Sequence, residues 1–452
     1  MELAHEPGFR RRAASLLRAA ANDLKRDDTA AEADLGLPPG AFAELTSGDR
    51  PVTWELVRRA CEVWPLTERD LLPGHDDCPG GVRIFPVAQS RASARVLHRG
   101  GAPYYEYRDT AMSRVASYRP EWIRMLRVVD SDDPDDPAVR WNDGHLLYQF
   151  TYFVGPVNYY YRWAGTSYCA RMETGDSVWG LPFAPHSFAA RTGAEPAYIL
   201  ALTYGGDLLG DAQRELSVLG PRVAERLALP VHPAANAQGA VLRSFLRARL
   251  MTVDELAARS KVEHVERICA GEHLATDDEL RAVAEALGVA ARELVPPVDG
   301  THRGVHLQRR ADAARWDYAD GAYGVTRLAG DPLHPHTTAL DLEIRARPGE
   351  WLTTYQHQYL YHLGGGPVGI TWEHGGTPRS STLDSGDSAY VLPQVPIALG
   401  PAGPEPGRVL LLRIGGAAGT EVRFALGTMP DGGIARYLDE DRLWYRAEGS
   451  HG

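Results

Sequence analysis

The chain has 452 residues, 44% of them hydrophobic and 24% charged, which predicts two to four domains and excludes a disordered tail or a fibrous repeat. No window approaches the roughly eighteen apolar residues of a spanning helix, and MELAHEPGFRRRAASLL lacks a signal peptide's apolar core and cleavage site, so a cytoplasmic protein with no membrane partner is expected. The net charge of -11 argues against a nucleic-acid partner, and Cys61, Cys78, Cys169 and Cys269 form no C-x-x-C pair, giving neither a disulfide framework nor a zinc knuckle.

In chain order, residues 9 to 72 carry helical periodicity in AASLLRAAANDL, TAAEADLG, PGAFAELTSG and TWELVRRACEVW, with turn signals between them. From about 82 to 208 the texture changes to Tyr, Val, Trp and Gly with frequent Pro, the pattern of a β-sandwich or barrel. Residues 238 to 296 return to helices, with Thr252 and Thr276 each three residues before a Glu at capping-box spacing. From about 302 to 427 the β pattern resumes.

The two β stretches align internally. GDSVWGLPFAPHSF from Gly175 lies beside GDSAYVLPQVPIAL from Gly386, and QFTYFVG from Gln149 lies beside QYLYHLG from Gln358. The predicted fold class is therefore α+β, a tandem repeat of a helix-turn-helix-like bundle plus a barrel, with domains at 1–80, 81–219, 220–300 and 301–452. The register sets His145, Gln149 and His186 against Thr354, Gln358 and Ile397, so only the first copy keeps both imidazoles. That asymmetry is expected if the first barrel holds a metal and the second is metal-free scaffold.

In WNDGHLLYQFTYF, His145 follows an Asp-Gly turn and Gln149 comes four residues later. On a flat strand such positions lie about 13 Å apart, so one ion is reached by both only if the backbone bends. Two imidazoles and one oxygen leave open positions on an octahedral metal, the arrangement of non-heme Fe(II) oxygenases, with zinc as the runner-up. A neutral Gln leaves the site one unit more positive than a carboxylate would, which favours an anionic, chelating substrate.

The run N-x-G-H-x-x-x-Q from Asn142 to Gln149 and the run G-D … P-x-x-P-H ending at His186 resemble the two metal-binding motifs of the cupin barrels. Together with the order helical bundle, cupin, helical bundle, degenerate cupin, the chain resembles the methylphosphonate synthase and 2-hydroxyethylphosphonate dioxygenase family, with hydroxypropylphosphonate epoxidase as a single-unit relative. The dioxygenase pattern has a glutamate ligand six residues before the second histidine, where this chain has Gly180. The synthase pattern, His-x-x-x-Gln with a later histidine, matches His145, Gln149 and His186.

The resemblance implies Fe(II) as cofactor, O2 as co-substrate, no 2-oxoglutarate, and a phosphonate substrate whose hydroxyl and one phosphonate oxygen chelate the metal. It implies a carbon-carbon cleavage of 2-hydroxyethylphosphonate, to methylphosphonate and CO2 in the synthase or to hydroxymethylphosphonate and formate in the dioxygenase. Gln149 favours the first outcome. HRGGAPYYEYRD resembles the phosphonate-binding stretch, putting Arg99 and Tyr107 on the phosphonate, and Tyr105 matches a further active-site tyrosine of the epoxidase. Asn142 matches an asparagine that donates to the phosphonate, and Lys25 a lysine of the helical unit that reaches the substrate.

A ligand-sensing transcription regulator is the alternative from another class. Against it, residues 238 to 296 hold eight basic side chains and ten acidic ones, and VEHVERICAG, the segment a recognition helix would occupy, carries Glu263 and Glu266, which repel phosphates. A metal-free structural cupin is weaker still, because both histidines survive in one copy. Self-association into a homo-oligomer is expected, with no symmetry fixed.

Overall fold

The computed structural model describes residues 7–116, 118–193, 197–297, 300–331 and 334–438. Its contacts divide into two compact units, Met1–Pro79 with Ser113–Val115 and Ala418–Gly452, and Gly80–Met112 with Ala116–Ala417.

The first unit contains the helices Pro7–Asp23, Asp28–Leu35, Ala41–Ser47 and Trp54–Val63. Asp27 and Thr53 accept from the backbone amides of Ala30 and Leu56 and so fix two of the starts. Their apolar faces share a core of Leu17, Ala31, Phe42, Leu45, Val57 and Trp64.

The second unit holds the remaining helical group and the strands. Helices Ala234–Ala248, Val253–Ser260, Val265–Ala270 and Asp277–Leu287 close around Leu242, Leu256, Ile268, Val283 and Leu294. Thr276 and Glu279 form the expected reciprocal capping box. Thr252 forms only half of one: it accepts from the Glu255 amide, but the Glu255 carboxylate is drawn to Arg259 at 2.6 Å instead.

The strands are β1 (Val82–Phe85), β2 (Arg95–Arg99), β3 (Ala102–Asp109), β4 (Tyr118–Met125) and β5 (Tyr148–Val154). There follow β6 (Val157–Trp163), β7 (Thr166–Met172), β8 (Ser177–Gly180), β9 (His186–Ala190) and β10 (Tyr198–Tyr204). After the helices come β11 (Val305–Gln308), β12 (Arg315–Tyr318), β13 (Tyr323–Arg327), β14 (Thr337–Ile344) and β15 (His357–Gly365). Last are β16 (Val368–His374), β17 (Thr377–Leu383), β18 (Ser388–Val391), β19 (Ile397–Pro401) and β20 (Gly407–Ile414). The architecture is α+β with antiparallel sheets.

One seven-stranded sheet runs β11-β8-β5-β10-β4-β3-β2 and faces the three-stranded sheet β7-β6-β9; the second pair runs β1-β18-β15-β20-β14-β13-β12 and β17-β16-β19. The two orders correspond strand for strand, with one exchange. The edge strand of each large sheet comes from the other half of the chain, β1 onto β18 and β11 onto β8. Alternation along β3, β4, β5 and β10 turns Tyr105, Ile123, Phe153 and Ile199 inward to meet Tyr159, Met172 and Phe188 of the smaller sheet. Each such side chain contributes about 1.5–3 kcal/mol when fully buried.

Among the described residues no helix is long and apolar enough to cross a membrane.

Candidate metal centre

At one end of the first sheet pair the inward side chains become polar and enclose a cavity of about 250 Å³. Arg99, Tyr105, Tyr107, Asn142, His145, Gln149 and His186 all line it, together with Glu121, Ile123, Leu147, Phe188 and Thr203. Lys25 belongs to the first unit, just past its first helix, where the backbone takes a positive φ of 58° and the ammonium group donates to the Asp23 carbonyl at 3.1 Å.

His145 precedes β5 rather than standing on it. Gly144, at φ +75°, turns the backbone so that the imidazole folds back over the strand, and the 13 Å separation expected of a flat strand collapses. His145 Nε2 lies 2.9 Å from Gln149 Oε1. His186 opens β9, and its ring stands edge-on to that of His145 with centroids 5.3 Å apart.

The donors around these groups are already assigned. His145 Nδ1 faces the Leu147 carbonyl at 2.9 Å and His186 Nδ1 faces the Ala184 carbonyl at 2.9 Å, so each Nδ1 donates to a backbone carbonyl and each Nε2 is left to the cavity side. Gln149 Nε2 donates to Thr151 Oγ1 at 2.9 Å, which turns its carbonyl oxygen toward His145. His145 Nε2 and Gln149 Oε1, both atoms able to ligate a metal, therefore face each other at hydrogen-bond distance. A cation bound by both replaces that contact, and the backbone carbonyls behind the imidazoles are the outer partners such ligands ordinarily have. Burial pushes His186 down to about 4, the Ala184 carbonyl opposing and His145 and Arg99 adding to the fall, so it stays a neutral donor. Among the described residues no three His, Cys, Asp or Glu side chains converge to hold a metal.

Asn142 ties the two histidine segments together. Its Oδ1 accepts from the amides of His186 at 2.7 Å and Gly144 at 3.1 Å, which fixes the carboxamide and leaves Nδ2 3.1 Å from His186 Nε2. Arg99 donates to the Arg140 carbonyl at 2.8 Å and lies 4.9 Å above the Tyr105 ring; among the described residues that is the guanidinium's one hydrogen bond. Its remaining N–H groups suit a tetrahedral oxyanion.

The second sheet pair shows which features belong to the fold alone. Tyr105 OH accepts from the Phe188 amide at 2.8 Å and donates to the Phe188 carbonyl at 3.2 Å. Tyr323, at the same sheet position, makes the same pair with Leu399 at 3.1 and 2.9 Å. Since that copy lacks both imidazoles, the hydroxyl of Tyr105 is a strand tether. Gln358 pairs across β15 and β20 with Arg413 as Gln149 pairs across β5 and β10 with Thr203. There the guanidinium supplies a cation: Arg413 Nε donates to Gln358 Oε1 at 3.1 Å.

Glu121 and Thr203 escaped the sequence reading. Glu121 faces the cavity from β4 with Arg95 3.5 Å away, and burial raises its pKa, Arg95 opposing. The signal was available in the alignment of halves, because Leu340 occupies the matching position, across from Leu411 as Glu121 is from Ala201.

No family model matches the chain. Methylphosphonate synthase of Nitrosopumilus maritimus is 36% identical over 437 residues, 95% of this chain and 94% of that protein. The structure of Streptomyces albus HEPD with 2-hydroxyethylphosphonate and Fe(II) bound is 59% identical, covers 97% of this chain and 99% of that one, and superposes with a TM-score of 0.93. A hydroxyethylphosphonate dioxygenase point mutant shares the fold at 20% identity and a TM-score of 0.73, covering 94% of this chain and 99% of that one. With more than a third of its residues identical across nearly its whole length, the chain belongs to the methylphosphonate synthase and 2-hydroxyethylphosphonate dioxygenase family.

Proposed function

We propose that the protein is an O2-dependent non-heme iron enzyme that cleaves the carbon-carbon bond of 2-hydroxyethylphosphonate, with His145, Gln149 and His186 holding Fe(II). The observation that carries the ligand set is the 2.9 Å approach of His145 Nε2 and Gln149 Oε1, each side chain fixed by a hydrogen bond on its far side. When bound, Fe(II) supplies Lewis acidity toward the substrate's oxygens and one-electron chemistry with O2.

The chain's own residues supply the rest. Arg99, Tyr107 and Asn142 bind the phosphonate, and the apolar Ile123, Leu147 and Phe188 limit water around the carbon chain. Lys25 keeps the phosphonate-binding role that its motif position implies. All electrons come from the substrate: 2-hydroxyethylphosphonate plus O2 balances as methylphosphonate, CO2 and water, so no 2-oxoglutarate or other reductant enters the sum.

Methylphosphonate and CO2 are the products read here, supported by the His-x-x-x-Gln set and the 36% identical synthase. Hydroxymethylphosphonate and formate are the second reading, favoured by the 59% identity to HEPD. Phosphorus NMR of one aerobic turnover mixture separates them. A methylphosphonate resonance confirms the first, a hydroxymethylphosphonate resonance replaces it with the second, and unchanged substrate with Fe(II) bound refutes both.

The fold reading that accompanies this is a duplicated cupin, each barrel preceded by a helix-turn-helix-like bundle, with the four domains at 1–80, 81–219, 220–300 and 301–452 and the last one metal-free. It is supported by the matching strand orders and by the shared turn at Gly175 and Gly386, at φ +93° and +91°. Association into a homo-oligomer, a cytoplasmic location and the lack of a nucleic-acid partner remain part of the same proposal.

A further inference from the structure

Asp176 and Asp387 close the same turn in the two halves. Each accepts from the amide three residues earlier, Glu173 at 3.0 Å and Asp384 at 2.9 Å. Each also accepts from an amide at the end of the strand received from the other half, Arg310 onto Asp176 at 2.9 Å and Val87 onto Asp387 at 2.7 Å. The match ends one residue before those donors. Arg309 reaches Asp176 with its guanidinium at 2.8 Å, where the other arm has Pro86. Among the described residues a charged latch at this turn is thus found in the half that carries both imidazoles and not in the other.

What the latch fastens leads to the site. β11 pairs with β8 from Val305 opposite Gly180 to Gln308 opposite Ser177, and Leu181 donates to the Gly304 carbonyl at 3.0 Å. Two residues on, the Phe183 amide donates to the His145 carbonyl at 2.7 Å. Gly144 lies so close to Phe183 that a Cβ there would fall 2.5 Å from its carbonyl carbon. The next carbonyl, of Ala184, holds the Nδ1 proton of His186. The short segment 181–185 therefore sets the backbone of one imidazole and the ring of the other, and β11 borders it.

We infer that the second half is a positioning element of the metal site: its strand β11, fastened by Arg309 to Asp176, fixes the segment 181–185 that aims His145 and His186. Asp176 is only 5% exposed, so its pairing with Arg309 is a charge-assisted bond with little competition from water. The partner directly behind His186 is the Ala184 carbonyl, and loss of such a partner changes metal affinity by about 10–100-fold, which bounds what the more distant latch can do through it. The inference rests on His145, Gln149 and His186 being the iron ligands.

Arg309→Met and Asp176→Asn test it in the full chain, with Asp387→Asn as the internal control. The readouts are anaerobic Fe(II) affinity by competition with a chelator and amide hydrogen exchange of 181–186. Arg309→Met and Asp176→Asn are expected to weaken Fe(II) binding by up to about tenfold and to speed exchange in that segment, whereas Asp387→Asn stays within about twofold of the parent. Should Asp176→Asn fail to fold, the half-exposed Arg309→Met decides alone. Parental iron affinity in Arg309→Met, or an equal loss in Asp387→Asn, overturns the inference. Parental iron affinity in His186→Ala would instead overturn the ligand set beneath it, so the two failures are distinguishable.

Discussion

Asn142 offers the sharpest separation of structure from binding. Its Oδ1 holds two backbone amides, of His186 and Gly144, while its Nδ2 lies on the cavity wall 3.1 Å from His186 Nε2. Asn142→Ala removes both accepted bonds, at about 1 kcal/mol each, or about 2 kcal/mol in all, a Tm fall of a few degrees. It also removes one hydrogen bond to a charged ligand, about 1.5–3 kcal/mol, or about 10–100-fold in affinity for the phosphonate. Asn142→Asp keeps an oxygen for both amides and leaves stability near the parental value. Facing the phosphonate, however, it loses the donor and adds a negative charge, and repulsion at about 4 Å is on the order of 4 kcal/mol at an effective dielectric of 20. The two variants should therefore rank in opposite orders, Ala worse than Asp in thermal melts and Asp worse than Ala in calorimetric titration with 2-hydroxyethylphosphonate. The same ranking in both assays would refute the assignment.

Gln149→Glu should retain Fe(II) and change the product ratio in phosphorus NMR, because the site loses one unit of net positive charge; an unaltered ratio would detach the glutamine from the outcome. Thr203→Arg should block Fe(II) binding in a folded protein, since Arg413 already fits a guanidinium at the matching sheet position beside Gln358; parental iron content in Thr203→Arg would count against the ligand set. Tyr105→Phe and Tyr323→Phe should cost similar stability, about 1–3 kcal/mol for the buried groups left unpaired, and a kcat loss peculiar to Tyr105→Phe would show a chemical role. Burial pushes both His186 and His357 down to about 4, below the 6.5 of a free side chain, so the unfolded chain takes up protons first. Their stabilisation is complete above about pH 6.5 and is lost as the pH falls toward 4, by a few kcal/mol in all. Urea midpoints measured from pH 8 to pH 4 should decline over that window, and a flat profile would show that neither ring is buried neutral.

Much of the site was legible because its chemistry sits on turns. Asn142, His145 and His186 adjoin glycine and proline punctuation, and the copy at Thr354, Gln358 and Ile397 marks them by contrast. Glu121 and Thr203 stand mid-strand, where an inward polar residue follows the same alternation as its core neighbours and nothing local distinguishes it. The strand exchange was illegible for another reason. β1 and β11 are four residues each, and their partners lie more than a hundred residues away, so no local pattern encodes which sheet they join. The flat-strand problem at His145 was posed correctly in sequence but answered by the loop at Gly144 rather than by a bent strand.

The comparison of halves also explains why a neutral ligand suffices. A carboxamide oxygen at the Gln149 and Gln358 position faces inward on a buried strand, where an unanswered acceptor is costly. In the second half Arg413 answers it from within the chain, even though burial lowers that guanidinium's pKa and so works against the charge. In the first half the matching residue is Thr203, too short to do so, and His145 Nε2 stands 2.9 Å from the oxygen instead. On the ligand set proposed above, the charge that one half carries permanently would come to the other from solution. On the same proposal, a dianionic phosphonate would meet a site whose positive charge no carboxylate in the ligand set offsets, and Arg99 would add to it. The one difference between Thr203 and Arg413 would then serve both the ion and the anion, and a chain in which the two residues were interchanged would be expected to lose both properties together.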